Sequence, residues 1–181
     1  MNTQNQSPLS APASPAKTYL GIDNGLSGAI ATLFPDGQWQ LWPVACDKSG
    51  RDRLLSIPAA RGMLAKLAAQ ADGLSNLVAV CELPPLNPRF GAKSNFTCGR
   101  CGEFWRVILT VERIPFSFVS AQTWQKVIFQ GVPCSDPKAV AAACMRQRFP
   151  GVVEAQSFNK EQLQGVVDAM CIATWARQQN C

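Results

Sequence analysis

Two continuous apolar runs in this chain each stop at an acid. Thr18-Tyr19-Leu20-Gly21-Ile22 ends at Asp23, and Leu77-Val78-Ala79-Val80-Cys81 ends at Glu82. A continuous apolar run such as the second is typical of a central, buried strand. A third acid, Asp168, interrupts a helical stretch between Val167 and Ala169. Charged groups are almost never fully buried unless they are paired or hold a metal. Three acids far apart in sequence, all in core-like contexts, therefore suggest convergence on one oxygen-ligand cation site. Taken singly, each has a plainer reading. Asp23 in Asp-Asn-Gly is also a turn former, and Asp168 could cap or pair locally, although aspartate has poor mid-helix propensity. Glu82 before Leu83-Pro84-Pro85 has the weakest plain reading, because a strand-end acid gains nothing obvious there.

The elements between these acids are legible from local pattern. Tyr19–Asp23, Ser27–Phe34 and Gln38–Val44 read as three consecutive strands, with Asp36-Gly37 as a tight hairpin turn and Asn24-Gly25-Leu26 as an equally short connection. A charged loop then leads to a helix over roughly Pro58–Ala71, with Met63, Leu64 and Leu67 on one face. After the strand ending at Glu82 comes a loop from Leu83 to Ser94, then a helix from about Phe96 to Glu112. Phe116–Ser120 is a short strand and Ala121–Phe129 a short helix. Ser135-Asp136-Pro137 starts a helix, with a capping residue and proline in the first turn, that ends near Phe149-Pro150; the last helix covers about Lys160–Gln178. The fold class expected is α/β with a mixed five-stranded sheet flanked by helices, in the element order βββαβαβαα.

At 181 residues and 47 % hydrophobic, the chain can bury one good core, so one domain is expected over residues 17–181. Residues 1–16 are mostly Asn, Gln, Ser, Pro and Ala, without the basic start and apolar middle of a signal peptide, and read as a flexible tail. No apolar run approaches the ~18 residues of a membrane span, so a cytoplasmic location and no membrane partner are expected. The eight cysteines are scattered, several inside apolar segments, and read mainly as small buried hydrophobes in a reducing compartment. Cys98 and Cys101 form a CxxC, but no second CxxC or histidine completes a typical zinc set, and the pair falls inside a helical segment. A three-residue spacing on a helix is more often incidental.

The net charge of +5 says little by itself, but its distribution says more. Arg89, Lys93, Arg100 and Arg106 stand against one acid, Glu103, between Pro84 and Arg106, and Lys126, Lys138, Arg146 and Arg148 continue the bias. Arg89, Phe90, Lys93 and Phe96 mix cations with aromatics in what reads as a long loop after Glu82. One reading is a mobile surface loop. The other is a DNA-facing loop whose cations hold phosphates while an aromatic wedges or stacks on a base. Phe90 is the favoured wedge, since Phe96 fits better as the start of the helix core. Trp124 reads as core rather than as a stacking platform. Ser27 is either an ordinary strand residue or a hydroxyl within reach of a phosphate near Asp23.

Gly21-Ile22-Asp23-Asn24-Gly25-Leu26-Ser27-Gly28-Ala29 resembles the first motif of RuvC-like Holliday junction resolvases, of bacterial and phage type, within the ribonuclease H-like superfamily. Glu82 with Leu83-Pro84-Pro85 resembles the second motif, and Gly99-Arg100 between Phe96 and Gly102 the third-region helix. Ser120-Ala121-Gln122-Thr123-Trp124-Gln125-Lys126 is similar to the family's strand–helix segment, and Val167-Asp168-Ala169 with Ile172-Ala173 to its last acidic motif. The resemblance implies a ribonuclease H-like domain that acts as a homodimer. It implies nicking of opposed strands of a four-way DNA junction with Mg²⁺, for which Mn²⁺ substitutes. Asp23, Glu82 and Asp168 become metal ligands, and Lys126 and Lys138 DNA-contacting lysines. Two hard cations ~4 Å apart would activate the attacking water and stabilise the leaving 3′ oxygen.

One departure stands out. The family usually carries a fourth acid or a histidine three or four residues before the last aspartate, where this chain has Gln164 and Gly165 and contains no histidine. Glu161 lies seven residues before Asp168 on the same helical face and is the candidate substitute; Gln164 could otherwise offer a neutral oxygen. A branched-DNA-binding module of the same fold that has lost catalysis is the alternative reading. The Gly-Ile-Asp-Asn-Gly segment also resembles the phosphate loop of actin-like sugar kinases, but those need two domains around the nucleotide and this chain is too short.

Overall fold

The computed structural model describes residues 16–84, 88–132, 136–152 and 158–180, the side chains of Lys160 and Glu161 excepted. The N-terminal tail expected over 1–16 therefore lies outside the described residues but for Ala16. Five strands form one sheet: β1 (Thr18–Ile22), β2 (Ala29–Leu33), β3 (Trp39–Pro43), β6 (Leu77–Glu82) and β7 (Phe116–Val119), in the order β3-β2-β1-β6-β7. β1, β2 and β3 pair antiparallel, whereas β6 runs parallel to β1 and β7 parallel to β6. The mixed five-stranded α/β sheet expected from the sequence is the one observed.

Two further strands, β4 (Cys46–Ser49) and β5 (Asp52–Leu55), pair as a separate hairpin where a charged loop was expected. Its two-residue turn begins at Gly50, whose φ of +61° suits a tight hairpin. The strands escape a pattern reading because Asp47, Lys48, Ser49, Asp52 and Arg53 show no apolar alternation. The helices are α1 (Ile57–Gln70), α2 (Ala92–Val111), α3 (Ala121–Ile128), α4 (Pro137–Arg148) and α5 (Lys160–Gln179). The observed order is thus βββββαβαβααα; the hairpin is new, while the three helices after β7 are those read from the sequence, one more than the expected order βββαβαβαα carried. Ser27 belongs to the β1–β2 turn rather than to β2.

Period-2 alternation splits the core into two layers. Leu20, Ile22, Ile30, Leu77, Ala79 and Cys81 face α1 and α2, where Leu64, Leu67, Trp105 and Leu109 complete one cluster. Tyr19, Ala31, Leu33, Val78 and Val80 face the other way, onto Trp124 and Ile128 of α3, Cys144 and Met145 of α4, and the length of α5. The α5 helix reaches the sheet through small residues at helical spacing, Gly165, Ala169 and Ala173. A Cβ on Gly21 would lie 2.0 Å from the Ala169 carbonyl oxygen, so β1 and α5 meet backbone to backbone at that point. The helix ends carry local caps: Asp136 accepts from the Lys138 amide before Pro137 opens α4, and Asn159 and Gln162 form a reciprocal capping box on α5.

The described cysteines are free, and Cys81, Cys101, Cys144 and Cys171 are buried. Cys134 and Cys181 lie outside the described residues. No helix of the described residues is long and apolar enough to cross a membrane.

Candidate functional site

The sheet parity that builds the core also aims the acids. Asp23 continues the series Tyr19, Gly21, and Glu82 continues Val78, Val80, so both side chains belong to the α5 face. Because β1 and β6 are adjacent and parallel, with Ile22 opposite Cys81, the two acids leave neighbouring strand ends side by side. Asp168 arrives on α5, which lies across β1 and β2. The structure thus brings together Asp23, Glu82 and Asp168.

Backbone and side-chain bonds hold the strand ends. The Asp23 amide donates to Ala29 O at 3.0 Å, and the Gly25 amide donates to Asp23 Oδ1 at 3.3 Å. Asn24 donates its side-chain amide to the Glu82 carbonyl oxygen, tying the two strand ends together. Two glycines leave room for the turn and the helix: a Cβ at Gly28 would sit 2.1 Å from Asp23 O, and one at Gly165 would sit 2.8 Å from Asp23 Oδ2. The indole of Trp124 donates to Glu82 Oε2 at 3.3 Å. From α5, the Gln164 side-chain amide donates to both oxygens of Asp168, at 3.0 and 3.1 Å.

Electrostatically the three carboxyls disfavour ionisation. Burial raises Glu82 to about 7, with repulsion from Asp23 and Asp168 adding to it and the Trp124 hydrogen bond opposing it. Burial raises Asp168 to about 6; the Gln164 hydrogen bond and the Lys138 charge pull it down, while Asp23 pushes it up. Asp23 is raised too, by burial, against the Gly25 hydrogen bond. None of the three has an ion-pair partner within 4 Å among the described residues.

Whether this set suits a hard cation divides into chemistry and spacing. The donors are all oxygens, partly desolvated and mutually repelling, which is the donor set that Mg²⁺ or Mn²⁺ takes. The spacing is looser: among the described residues, no three His, Cys, Asp or Glu side chains stand close enough together to hold an ion as they are. The donor chemistry therefore fits, and closing on an ion requires side-chain movement. Glu161 is in the first turn of α5, but its side chain lies outside the described residues.

The basic and aromatic residues singled out in the sequence divide. Lys138, in the first turn of α4, is near enough to Asp168 to act on its charge. Lys126 lies on the exposed face of α3 beside Gln122, Thr123 and Gln130, about 200° round the helix from Trp124. Ser27 is half-buried in the turn that carries Asp23. Arg89 and Phe90 occupy the exposed turn before α2, with Phe90 43 % exposed.

Lys93 and Phe96 belong to α2, not to a loop, because the helix starts at Ala92. Lys93 lies 4.0 Å from Asp52 of the hairpin. Phe96 does not start a core: at 69 % exposure it projects outward, since the helix begins a turn earlier and buries Cys101, Trp105 and Ile108 instead. Arg100 donates to the Arg53 carbonyl oxygen at 3.0 Å and lies over the Phe96 ring, so it braces the β4–β5 hairpin. Trp124 is core as expected, 1 % exposed, yet its N–H also serves Glu82. The ties made by Trp124 and Asn24 had no local signal, because their partner lies 42 and 58 residues away.

No protein family matches this sequence, and no curated protein matches it either. Solved structures do. RuvC of Thermus thermophilus in complex with Holliday junction substrate superposes with a TM-score of 0.54 at 11 % identity, over 90 % of this chain and 96 % of that one. A second structure of Thermus thermophilus RuvC gives a TM-score of 0.46 at 13 % identity over the same shares. The first likeness identifies the fold of this chain as ribonuclease H-like.

Proposed function

We propose that this protein is a divalent-cation-dependent, structure-selective endodeoxyribonuclease that nicks four-way DNA junctions. The observation that carries the reading is the meeting of Asp23, Glu82 and Asp168. Adjacent parallel strand ends and a crossing helix converge three repelling carboxyls on one edge of the sheet. The ribonuclease H-like fold, shared with a protein solved on a Holliday junction substrate, gives that edge a nucleic-acid context.

In this reading Asp23, Glu82 and Asp168 hold Mg²⁺, with Mn²⁺ as a substitute, and Glu161 is the candidate for a fourth oxygen. Bound there, the cation would supply Lewis-acid stabilisation of phosphate charge and lower the pKa of water. The chain's own contribution is positioning. Trp124 orients one oxygen of Glu82, Asn24 keeps the β1 and β6 ends together, and Gly28 and Gly165 leave Asp23 its place. Lys138 beside Asp168, with Lys126, Arg89, Lys93 and Ser27 farther out, would contact phosphates, which fix register without reading sequence. Phe90 is the candidate wedge at the junction. Arg100, which braces the hairpin, is a further candidate phosphate contact.

A homodimer suits the reading because paired incisions need paired sites. The outer side of α2 supports it: Phe96, Val107 and Val111 are exposed apolar residues on one helix. A second reading, a branched-DNA-binding module without catalysis, is favoured by the loose spacing of the acids among the described residues.

A labelled synthetic four-way junction separates the two. Nicking in Mg²⁺ or Mn²⁺, lost by at least about 10²-fold in Asp23→Asn with junction binding retained, is the expected result. Binding with no cleavage in either ion overturns the nuclease and leaves the binding module. Equal cleavage by Asp23→Asn overturns the site.

A further inference from the structure

The Gln164 amide nitrogen sits astride Asp168, 3.0 Å from one carboxylate oxygen and 3.1 Å from the other. These are the oxygens a cation would need. Of a carboxylate's roughly four acceptor directions, one N–H₂ group placed between the two oxygens takes the pair that faces it, the pair a chelated ion would use. The same site, among the described residues, lacks three acids close enough to close on an ion.

The local geometry explains why the amide is there. Gly165, Ala169 and Ala173 form the stripe that lies on the sheet, and Gln164 and Asp168 flank it one residue earlier, on successive turns. A side chain at position 165 has no room, since its Cβ would fall 2.8 Å from Asp23 Oδ2. Position 164 is therefore the place on this turn from which a side chain reaches the acids.

We propose that Gln164 is a latch on Asp168. Its amide holds the carboxylate in the ion-free protein, and a divalent cation binds by displacing it. This rests on the reading that the acid cluster takes a divalent cation, and it adds a specific element to that reading: the affinity of the site is set by competition between an ion and a neutral amide of the same helix. Gln164 is a positioning residue, acting through Asp168. A residue that merely stabilised α5 through an i, i+4 pair would alter unfolding and leave ion affinity alone.

Mn²⁺ titrated calorimetrically into the full chain, without DNA, tests the latch. Gln164→Met keeps the length and removes the donor, and Gln164→Ala serves if the methionine variant fails to fold. The expected result is Mn²⁺ binding about tenfold tighter than in the parent, the order of a hydrogen bond to a charged group. In parallel, the Gln164 side-chain N–H₂ resonances should shift as Mg²⁺ is added to the parent protein. Unchanged or weaker Mn²⁺ binding in the variants overturns the latch while the cation site stands; weaker binding would make Gln164 an oxygen donor instead. No Mn²⁺ binding by the parent overturns the cation site itself, and the latch with it.

Discussion

Asp23, Glu82 and Asp168 are costly residues for a folded core. Each is buried enough to raise its pKa, and Glu82 feels the other two directly. Raised carboxyl pKa values have a definite consequence for stability. Glu82 moves from 4.5 to about 7 and Asp168 from 3.8 to about 6. Below about pH 3 both states are largely protonated, so the folded form carries no penalty from these groups. As pH rises from about 4 to about 7, the unfolded chain gives up its protons first, the folded form holds more, and stability falls. The ion-free protein, scanned by calorimetry in a chelator, should therefore melt lower at pH 8 than at pH 5. Glu82→Gln should flatten that slope. A melting temperature that rises over this range, or an unaltered slope in Glu82→Gln, would remove the electrostatic account of the site.

At the scale of the element, α5 determines where the acids meet. Its small residues let it lie against β1 so closely that Gly21 has no space for a methyl group, the nearest α5 atom being 2.0 Å from an added Cβ. Gly21→Ala must push the helix off the strand or bend the strand away. It should cost about 3 kcal/mol, at the upper end of overpacking effects, read as a lowered denaturant midpoint. An unchanged midpoint would mean that α5 lifts at no cost and that the close approach is not needed. The α2 helix makes a different contribution. Its inner side, Cys101, Trp105, Ile108 and Leu109, closes the core, and its outer side leaves Phe96, Val107 and Val111 in solvent. Phe104, Val107, Ile108 and Val111, which share one side of the helix in sequence, are thus divided between core and surface.

For the whole molecule, the proposed homodimer would place its second copy on that outer side. Val107 is 51 % and Val111 63 % exposed, and a groove lined by Ile57, Phe96, Phe104 and Ile108 adjoins them. A stable dimer buries on the order of 800 Å² per partner, and one charge at its centre disrupts it. Val107→Asp, a change on an exposed position that the fold should accept, is expected to shift the protein from dimer to monomer in analytical ultracentrifugation. A variant that stays dimeric places the interface elsewhere, and a monomeric parent removes the dimer from the proposed function.

Much of this was legible in one dimension because local pattern and local chemistry agree. The apolar runs ending at Asp23 and Glu82, the Asp36-Gly37 turn and the Asp136-Pro137 helix start all act within a few residues. They are enough to predict the mixed sheet and to single out the three acids. The charged β4–β5 hairpin was not legible, since it is held by pairing and by Arg100 rather than by alternation. Nor was the outward turn of Phe96, which depends on α2 beginning at Ala92. The sequence by itself determined which carboxyls stand in apolar contexts and on which strands and helix they lie. Only the tertiary structure decided that Trp124 partners Glu82 and on which face all three acids meet, whereas the Gln164–Asp168 pair lies one turn apart within α5. Strand parity and helix periodicity are local properties, whereas the approach of α5 to the sheet is a contact between segments more than a hundred residues apart.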